Sequence, residues 1–306
     1  MGVSWHHVKA LVSAHKAGVN FERTLTVGRL NLFISPGELQ KLIASSPGLP
    51  ERYGEFFAEY PTYAEPMFRL LGAREVSSID ASDYENATYV HDLNVPIPDH
   101  LKGQFDLVDD GGTLEHVFNF PVARRNCMEM VKVGGHLLLN VPTNNFVGHG
   151  FYQFSPELFF RALSEVNGFH VERLVTFEMS DYGQWYEVSD PTAVRARVEL
   201  VTDRHRIGLW VRARRIAEMP IFQRMPQQSS YADISWKRAR PSEPGAKPRK
   251  PSKFLRAPDP RREMWKRALA RLSPSLYDRL RSWHACRRNM RWAFETQGRF
   301  YKPVID

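Results

Sequence analysis

Apolar residues fall along this chain in two alternating rhythms. Short apolar runs that end in an acid or a glycine are separated by stretches in which apolar positions recur every third or fourth residue. The first pattern predicts buried strands, the second helices packed by one face. Strands are expected over Arg23 to Arg29, Glu75 to Asp80, Ala87 to Asn94, Phe105 to Asp110, His136 to Pro142, Phe169 to Met179 and Arg204 to Arg215. Helices are expected over Pro36 to Ser45, Tyr60 to Leu71 and Val122 to Val131, with another opening at Ser155-Pro156-Glu157. Ser35 and Ser155 are placed as caps, each followed by a proline suited to the first helical position. From His205 to Arg212 polar and apolar residues alternate, as they do in an edge strand or one with a single covered face.

Strands interleaved with helices predict an α/β fold, here a doubly wound, mostly parallel, seven-stranded Rossmann-like sheet over residues 20 to 235, preceded by a helix within residues 1 to 19. One crossover departs from the rule. Asp80 and Asp92 are only 12 positions apart, too few for a full crossover helix, so Ser82 to Asn86 is expected as a loop.

In such a sheet the ligand lies beyond the carboxyl ends of the strands, so the residues closing each run carry the chemistry. The run from Phe105 ends in Asp109-Asp110-Gly111-Gly112 and continues into Thr113-Leu114-Glu115-His116-Val117. Glycine at a strand end lets backbone approach a ligand closely. A carboxylate is the natural acceptor for a vicinal diol, and histidine suits proton transfer near neutral pH. After the next strand, Pro142 to Phe154 is dense in amides, aromatics and a glycine-flanked histidine. Asn144, Asn145, His149, Tyr152 and Gln153 can all bond a polar acceptor; the alternative is that they satisfy backbone groups at the turn.

The succession of strand, Phe105-Asp106 to Leu114-Glu115-His116-Val117, helix, Lys132-Val133-Gly134-Gly135, strand and Pro142 resembles the second half of the class I S-adenosylmethionine-dependent methyltransferases. The resemblance covers roughly residues 20 to 215 and implies S-adenosylmethionine as cofactor. It places Gly28 at the first strand's turn, Asp80 on the two ribose hydroxyls and Asp92 on the adenine amino group. Asp109, Gly111 and Gly112 would lie along the methionine portion. It also implies an antiparallel last strand pair, and methyl transfer to a hydroxyl or carboxyl of a small molecule or glycan. Asp110, His116 and His149 are then the expected catalytic residues, with Asn144, Asn145, Tyr152 and Gln153 on the acceptor. The segment from Asn144 to Leu158 is similar to a pattern in bacterial methyltransferase-like proteins.

Two departures matter. No G-x-G-x-G occurs in the chain, which keeps open a non-catalytic binding or scaffold protein on the same fold. A quinone-type subset of these enzymes holds a divalent metal with E-x-x-E-H, but the earlier position here is Gly112, so no metal is predicted.

Charge divides the chain further. Residues 240 to 306 carry 18 Lys or Arg against 6 Asp or Glu, a net of +12, whereas residues 1 to 239 carry 24 against 28, a net of −4. The basicity of the whole, net +8, therefore belongs to the end of the chain. Six prolines among basic and small residues from 236 to 260 are expected as a linker, and residues 261 to 306 as a basic helical appendage. Trp265, Trp283 and Trp292 among its arginines suit peripheral contact with an anionic membrane face. Nucleic acid is the weaker reading, since no nucleic-acid motif accompanies the charge. Only two cysteines, Cys127 and Cys286, and no basic-then-apolar leader lead to the expectation of a cytoplasmic protein.

Overall fold

The computed structural model describes residues 2–180, 182–194, 197, 198, 200, 205–231, 273 and 301–304. The expected linker, Trp265, Trp283, Trp292, Cys286 and nearly all of the basic appendage lie outside the described residues. The chain divides into two compact units: Met1–Trp185 with Arg206–Pro226, and Tyr186–His205 with Gln227–Asp306.

The first unit is an α/β fold on a mixed sheet. Its elements are β1 (Gly2–Ser4), α1 (Trp5–Lys16), β2 (Arg23–Val27), β3 (Asn31–Phe33), α2 (Pro36–Ile43), α3 (Leu49–Phe56), α4 (Glu65–Leu70), β4 (Glu75–Asp80), β5 (Tyr89–Val90), β6 (Phe105–Asp110), α5 (Phe120–Met130), β7 (Val131–Asn144), α6 (Pro156–Ala162) and β8 (Phe169–Glu178). β9 (Trp185–Val188) begins at the unit's last residue before the gap, and β10 (Ile207–Arg215) returns to it. Seven strands of this unit lie in the order β8, β10, β7, β6, β2, β4, β5. β5, β4, β2, β6 and β7 are parallel, and β10 runs antiparallel to both β7 and β8. The chain thus enters the sheet at β2, moves outward through β4 and β5, and resumes at β6 on the other side of β2. That reversal is a topological switch point at the carboxyl ends of β2 and β6.

Several elements form as their sequences dictate. Ser35 caps α2 in a complete capping box: Glu38 N–H bonds the Ser35 hydroxyl, and the Glu38 carboxylate accepts from Ser35 N–H. Two donors that helix geometry leaves unpaired are thereby satisfied. Between Asp80 and Tyr89 there is no helix, as the short spacing requires, and the third strand shrinks to Tyr89–Val90.

Other elements differ from expectation. The helix expected over Tyr60 to Leu71 spans only Glu65–Leu70, and Leu49–Phe56 forms a helix of its own. β7 begins five residues before His136, because Lys132-Val133-Gly134-Gly135 continues the strand rather than turning into it. β10 is no edge strand. It is paired on both sides, and its polar positions are absorbed locally: Arg212 Nε donates to Glu172 Oε2 at 2.9 Å, and Arg215 Nη1 donates to the carbonyl of Val131 at 2.6 Å.

The N-terminal segment belongs to this unit as well, rather than preceding it. β1 pairs in parallel with β3, and α1 buries His6, His7, Val8, Ala10 and Leu11. In the second unit, Tyr301–Pro303 form strand β11, antiparallel to Tyr186–Val188 of β9, with the Tyr301 ring buried. The last residues of the expected helical appendage are therefore β structure, for which a tyrosine that can bury its ring is suited. No helix among the described residues is long and apolar enough to cross a membrane.

Candidate functional site

The switch point fixes where to look, and the groups there divide by burial. On the β2–β4 side the acids are accessible. β2 runs into Gly28, which is buried and takes a left-handed φ of 79° that glycine adopts without steric cost; its N–H donates to the Ile79 carbonyl at 2.7 Å. Next to it β4 ends in Asp80, which is partly exposed; one of its oxygens accepts from Ala81 N–H at 2.7 Å. Beyond β5, Asp92 is exposed, and its Oδ1 accepts from both the N–H and the Nδ2 of Asn94. These two bonds hold the Asp92 carboxyl below its ordinary range.

On the β6 side the acids are buried. Asp109 is wholly buried under α1, with His7 Nε2 3.1 Å from its carboxylate oxygens. The two adjacent aspartates thus point to different work, and Asp109 does not meet a ligand as expected. Asp110, also buried, accepts from Thr113 N–H at 2.8 Å. Burial pushes its carboxyl up to about 6, with the Asp109 charge adding to the rise while the Thr113 and Leu114 N–H groups oppose it. The Thr113 hydroxyl donates to the Val27 carbonyl, tying the turn to the end of β2. Gly111 is packed closely: a Cβ there would lie 2.8 Å from Leu30 Cδ1 and 3.0 Å from His7 Cε1. The space above it is filled by protein, contrary to the expectation of a passage along the cofactor. Gly112, with φ 99°, has the Glu115 carboxylate beside it; a Cβ would come within 3.1 Å of Oε1.

Past the turn, three side chains converge. Glu115 is buried, its Oε1 3.6 Å from His149 Nε2, and its Oε2 is buried with no hydrogen-bond partner. The His116 and His149 rings meet edge to face, centroids 5.1 Å apart. One donor atom from each of Glu115, His116 and His149 lies within 4.8 Å of the others. Burial and then the Asp110 charge push Glu115 up to about 8; burial and then His149 lower His116.

The 144–154 segment is clamped over this cluster. Phe151 N–H and Tyr152 N–H both donate to the Glu115 carbonyl, at 2.7 and 3.2 Å. Gly150, at φ 74°, makes the approach: a Cβ there would lie 2.7 Å from that same oxygen. The Tyr152 hydroxyl donates to the Phe118 carbonyl at 2.7 Å, and the Gln153 carbonyl accepts from Phe146 N–H at 2.8 Å. These two side chains serve the loop's own backbone, the second of the readings open from sequence. Asn145 takes a left-handed φ of 62°, as asparagine tolerates, and Asn144 closes β7 opposite Ile207.

Sequence reasoning missed three members of this neighbourhood. Glu115 was set aside once Gly112 broke the E-x-x-E-H comparison, yet it is the buried acid of the cluster. His7 and Arg124 carried no signal at all. Arg124 is wholly buried in α5, its guanidinium 4.8 Å over the Phe159 ring and without a hydrogen-bond partner, and burial lowers it to about 10. Trp185 is core: it stacks near Phe177 and donates from Nε1 to His6 Nδ1 at 2.9 Å.

One cleft of this unit, about 730 Å³, lies at the amino ends of the parallel strands beside Gly103, Lys132 and Arg215. Its bases are already matched to acids, Lys132 with Asp106 and Arg125 with Glu129, and it sits at the wrong end of the sheet for a ligand. Another, about 530 Å³, is lined by Arg29, Tyr63, Arg69, Ser78, Asn86 and Thr88 and adjoins the Gly28 turn. There Arg29 lies 3.8 Å over the Tyr63 ring and pairs with Glu65.

No protein-family model matches this chain, and no curated protein matches it. Among solved structures, the chain is similar to an S-adenosylmethionine-dependent methyltransferase from Mesorhizobium loti, at 17% identity over 67% of this chain and 96% of that one, TM-score 0.38. It is similar also to the N-methyltransferase NodS from Bradyrhizobium japonicum, at 12% identity over 69% and 96%, TM-score 0.36. A branched-chain polyamine synthase from Thermus thermophilus, in complex with N4-aminopropylspermidine and 5'-methylthioadenosine, is similar at 13% identity over 70% and 58%, TM-score 0.35. Superpositions this shallow assign no chemistry, and the architecture rests on the chain's own strand order.

Proposed function

We propose that this protein is an S-adenosylmethionine-dependent methyltransferase acting on a hydroxyl or carboxyl oxygen of a small molecule or glycan. The observation that carries the reading is Asp80, partly exposed at the end of β4 on the switch-point side of the sheet, beside the left-handed turn at buried Gly28. Asp80 fits the ribosyl end of the cofactor, where it presents a carboxylate to a vicinal diol. Asp92 is an exposed acceptor further out along the same edge.

When bound, the cofactor supplies an electrophilic methyl group on a sulfonium. Displacement there is in line, so the residues on the acceptor side act mainly by holding an oxygen in near-attack geometry. His116 and His149, on the exposed side of the Glu115 cluster, are the groups placed to position that oxygen and take its proton. Asp110 acts through the turn it caps. Peripheral contact of the basic region with an anionic membrane is proposed on its composition alone.

Calorimetric titration with S-adenosylhomocysteine tests the cofactor assignment. Wild-type protein should bind, and Asp80→Ala should bind about thirtyfold more weakly, a loss of ~2 kcal/mol for hydrogen bonds to a charged acceptor. Equal binding by the two proteins would overturn the placement. No binding by either would favour a non-catalytic protein on this fold, a reading supported by the filling of the space above Gly111 by Leu30 and His7.

A further inference from the structure

The cluster of Glu115, His116 and His149 holds more than a proton-transfer pair requires. Glu115 is among the most buried acids of the described chain, and one of its oxygens, Oε2, faces no hydrogen-bond donor. A second acid, Asp110, is buried five residues earlier. Burying carboxyl groups together without a cation is costly, and the cost is relieved by protonation, by pairing or by a metal. No lysine or arginine pairs with Glu115 among the described residues; its neighbours are the two imidazoles.

The geometry is nearly that of a closed coordination set. In a tetrahedral zinc site, bonds of about 2.0–2.2 Å place donors roughly 3.4 Å apart. Glu115 Oε1 and His149 Nε2 are already 3.6 Å apart, and all three donors lie within 4.8 Å of one another. A small inward rotation of the exposed His116 and His149 rings completes the set. Glu115, by contrast, is fixed, being buried and in the turn capped by Asp110.

The supports of the three donors are built, not incidental. His149 is carried by a loop whose Phe151 and Tyr152 N–H groups bond the carbonyl of Glu115 itself. Gly150 permits that contact, Tyr152 anchors the loop to Phe118, and Gln153 closes it on Phe146. The loop's backbone is thus tied to the residue that supplies the oxygen donor. Gly112 leaves space beside Oε1 that any side chain would crowd. Positioning of ligands by their outer hydrogen bonds is what distinguishes a metal site from a chance cluster.

We propose that Glu115, His116 and His149 form a three-ligand site for a divalent transition-metal ion of the zinc type, with its fourth position open to an oxygen of the methyl acceptor. Two imidazoles and one carboxylate suit zinc and its neighbours better than magnesium or calcium, which take oxygen ligands. Three protein ligands with an open position are the arrangement of reactive rather than purely structural zinc. The open position faces outward on the side of half-exposed His149. The identity of the fourth ligand rests on the methyltransferase reading; the metal site itself does not, and in the metal-bound form the two imidazoles would hold the ion while the ion, by acidifying the bound oxygen, would replace them in proton removal.

The test uses the untagged full-length protein after chelator treatment and dialysis. Calorimetric titration with Zn²⁺ should show one equivalent bound per chain, and Co²⁺ should give the visible absorption of a four- or five-coordinate ion. His149→Ala, an exposed loop position, should weaken Zn²⁺ binding at least a hundredfold and abolish the Co²⁺ band, whereas His170→Ala on the surface should change neither. Absence of binding by the wild type, or binding and a Co²⁺ band unaltered in both His149→Ala and Glu115→Gln, would overturn the site. Titration with S-adenosylhomocysteine in parallel separates the two ideas. Metal binding without cofactor-product binding upholds the site and removes the methyltransferase reading. Product binding without metal does the reverse.

Discussion

The two sides of the switch point are built in opposite ways. On the β2–β4 side, the Asp80 carboxylate is held only by the N–H of the next residue, Ala81, and remains partly exposed. On the β6 side the acids are buried and the turn is tied over long sequence distances: Asp109 by His7, Thr113 by Val27, and the Glu115 carbonyl by Phe151 and Tyr152. The difference teaches that acids of one sequence motif do not share one role. Asp80 is left partly exposed. Asp109 is spent on holding the wall against which a ligand would be held.

The strongest way to break this contrast is to remove the buried partner. His7→Leu leaves Asp109 buried and unpaired, and should destabilise the protein by about 3 kcal/mol, read from the shift in its urea midpoint. Adding Asp109→Leu should restore most of that loss, since two apolar residues avoid the desolvation that a lone charge suffers. If the single variant is as stable as the wild type, the pair is not structural and Asp109 returns to the ligand side.

A smaller effect is expected at the loop. Gly150→Ala places a Cβ against the Glu115 carbonyl at a left-handed φ and should cost about 2 kcal/mol. It should also weaken zinc binding although no donor has been removed. Thermal melting and metal titration on the same sample report both.

The last concerns pH. Burial holds the Asp110 carboxyl at about 6 in the folded protein against 3.8 as its ordinary value. Between those values the unfolded chain has released a proton that the folded one still binds, so stability falls as pH rises through about 4 to 6. Below that window both states are protonated and the penalty vanishes. Asp110→Asn, which can still accept from Thr113 N–H, should remove a slope worth up to about 3 kcal/mol across the window. Chemical denaturation at a series of pH values measures it. An unchanged slope would mean that another group is responsible.

How much was legible in the chain follows from the same contrast. The interior strands Glu75–Asp80 and Phe105–Asp110 stand where the apolar runs placed them, because a strand with both faces covered leaves no choice of residue type. The missing crossover helix was legible from spacing alone. Partners were not. Asp109 and Asp110 are neighbours in sequence and both looked exposed to a ligand, but strand alternation turns them to opposite faces, and only the fold shows α1 lying on one of them. The Glu115 cluster draws on two loops 33 positions apart, and His149 reaches it through a turn that depends on Gly150. At β10 the alternation left an edge strand and a one-face strand both open, and only the pairing on both sides excludes the edge, with Arg215 bonding backbone carbonyls and Arg212 a glutamate.

The contact between His7 and Asp109 has a consequence in time as well as in space. It joins residues 102 positions apart, and the N-terminal residue is made first. His7 therefore emerges without its partner and must wait for β2, β4 and β6 to assemble before it has anywhere to dock. Contacts of such long range incur their loop-closure cost before they return any stability. A contact of this span is therefore expected to close late in folding, after the barrier. Loosening it should hasten unfolding far more than it slows refolding, so the wall of the site is also the latch that governs how long the folded molecule lasts.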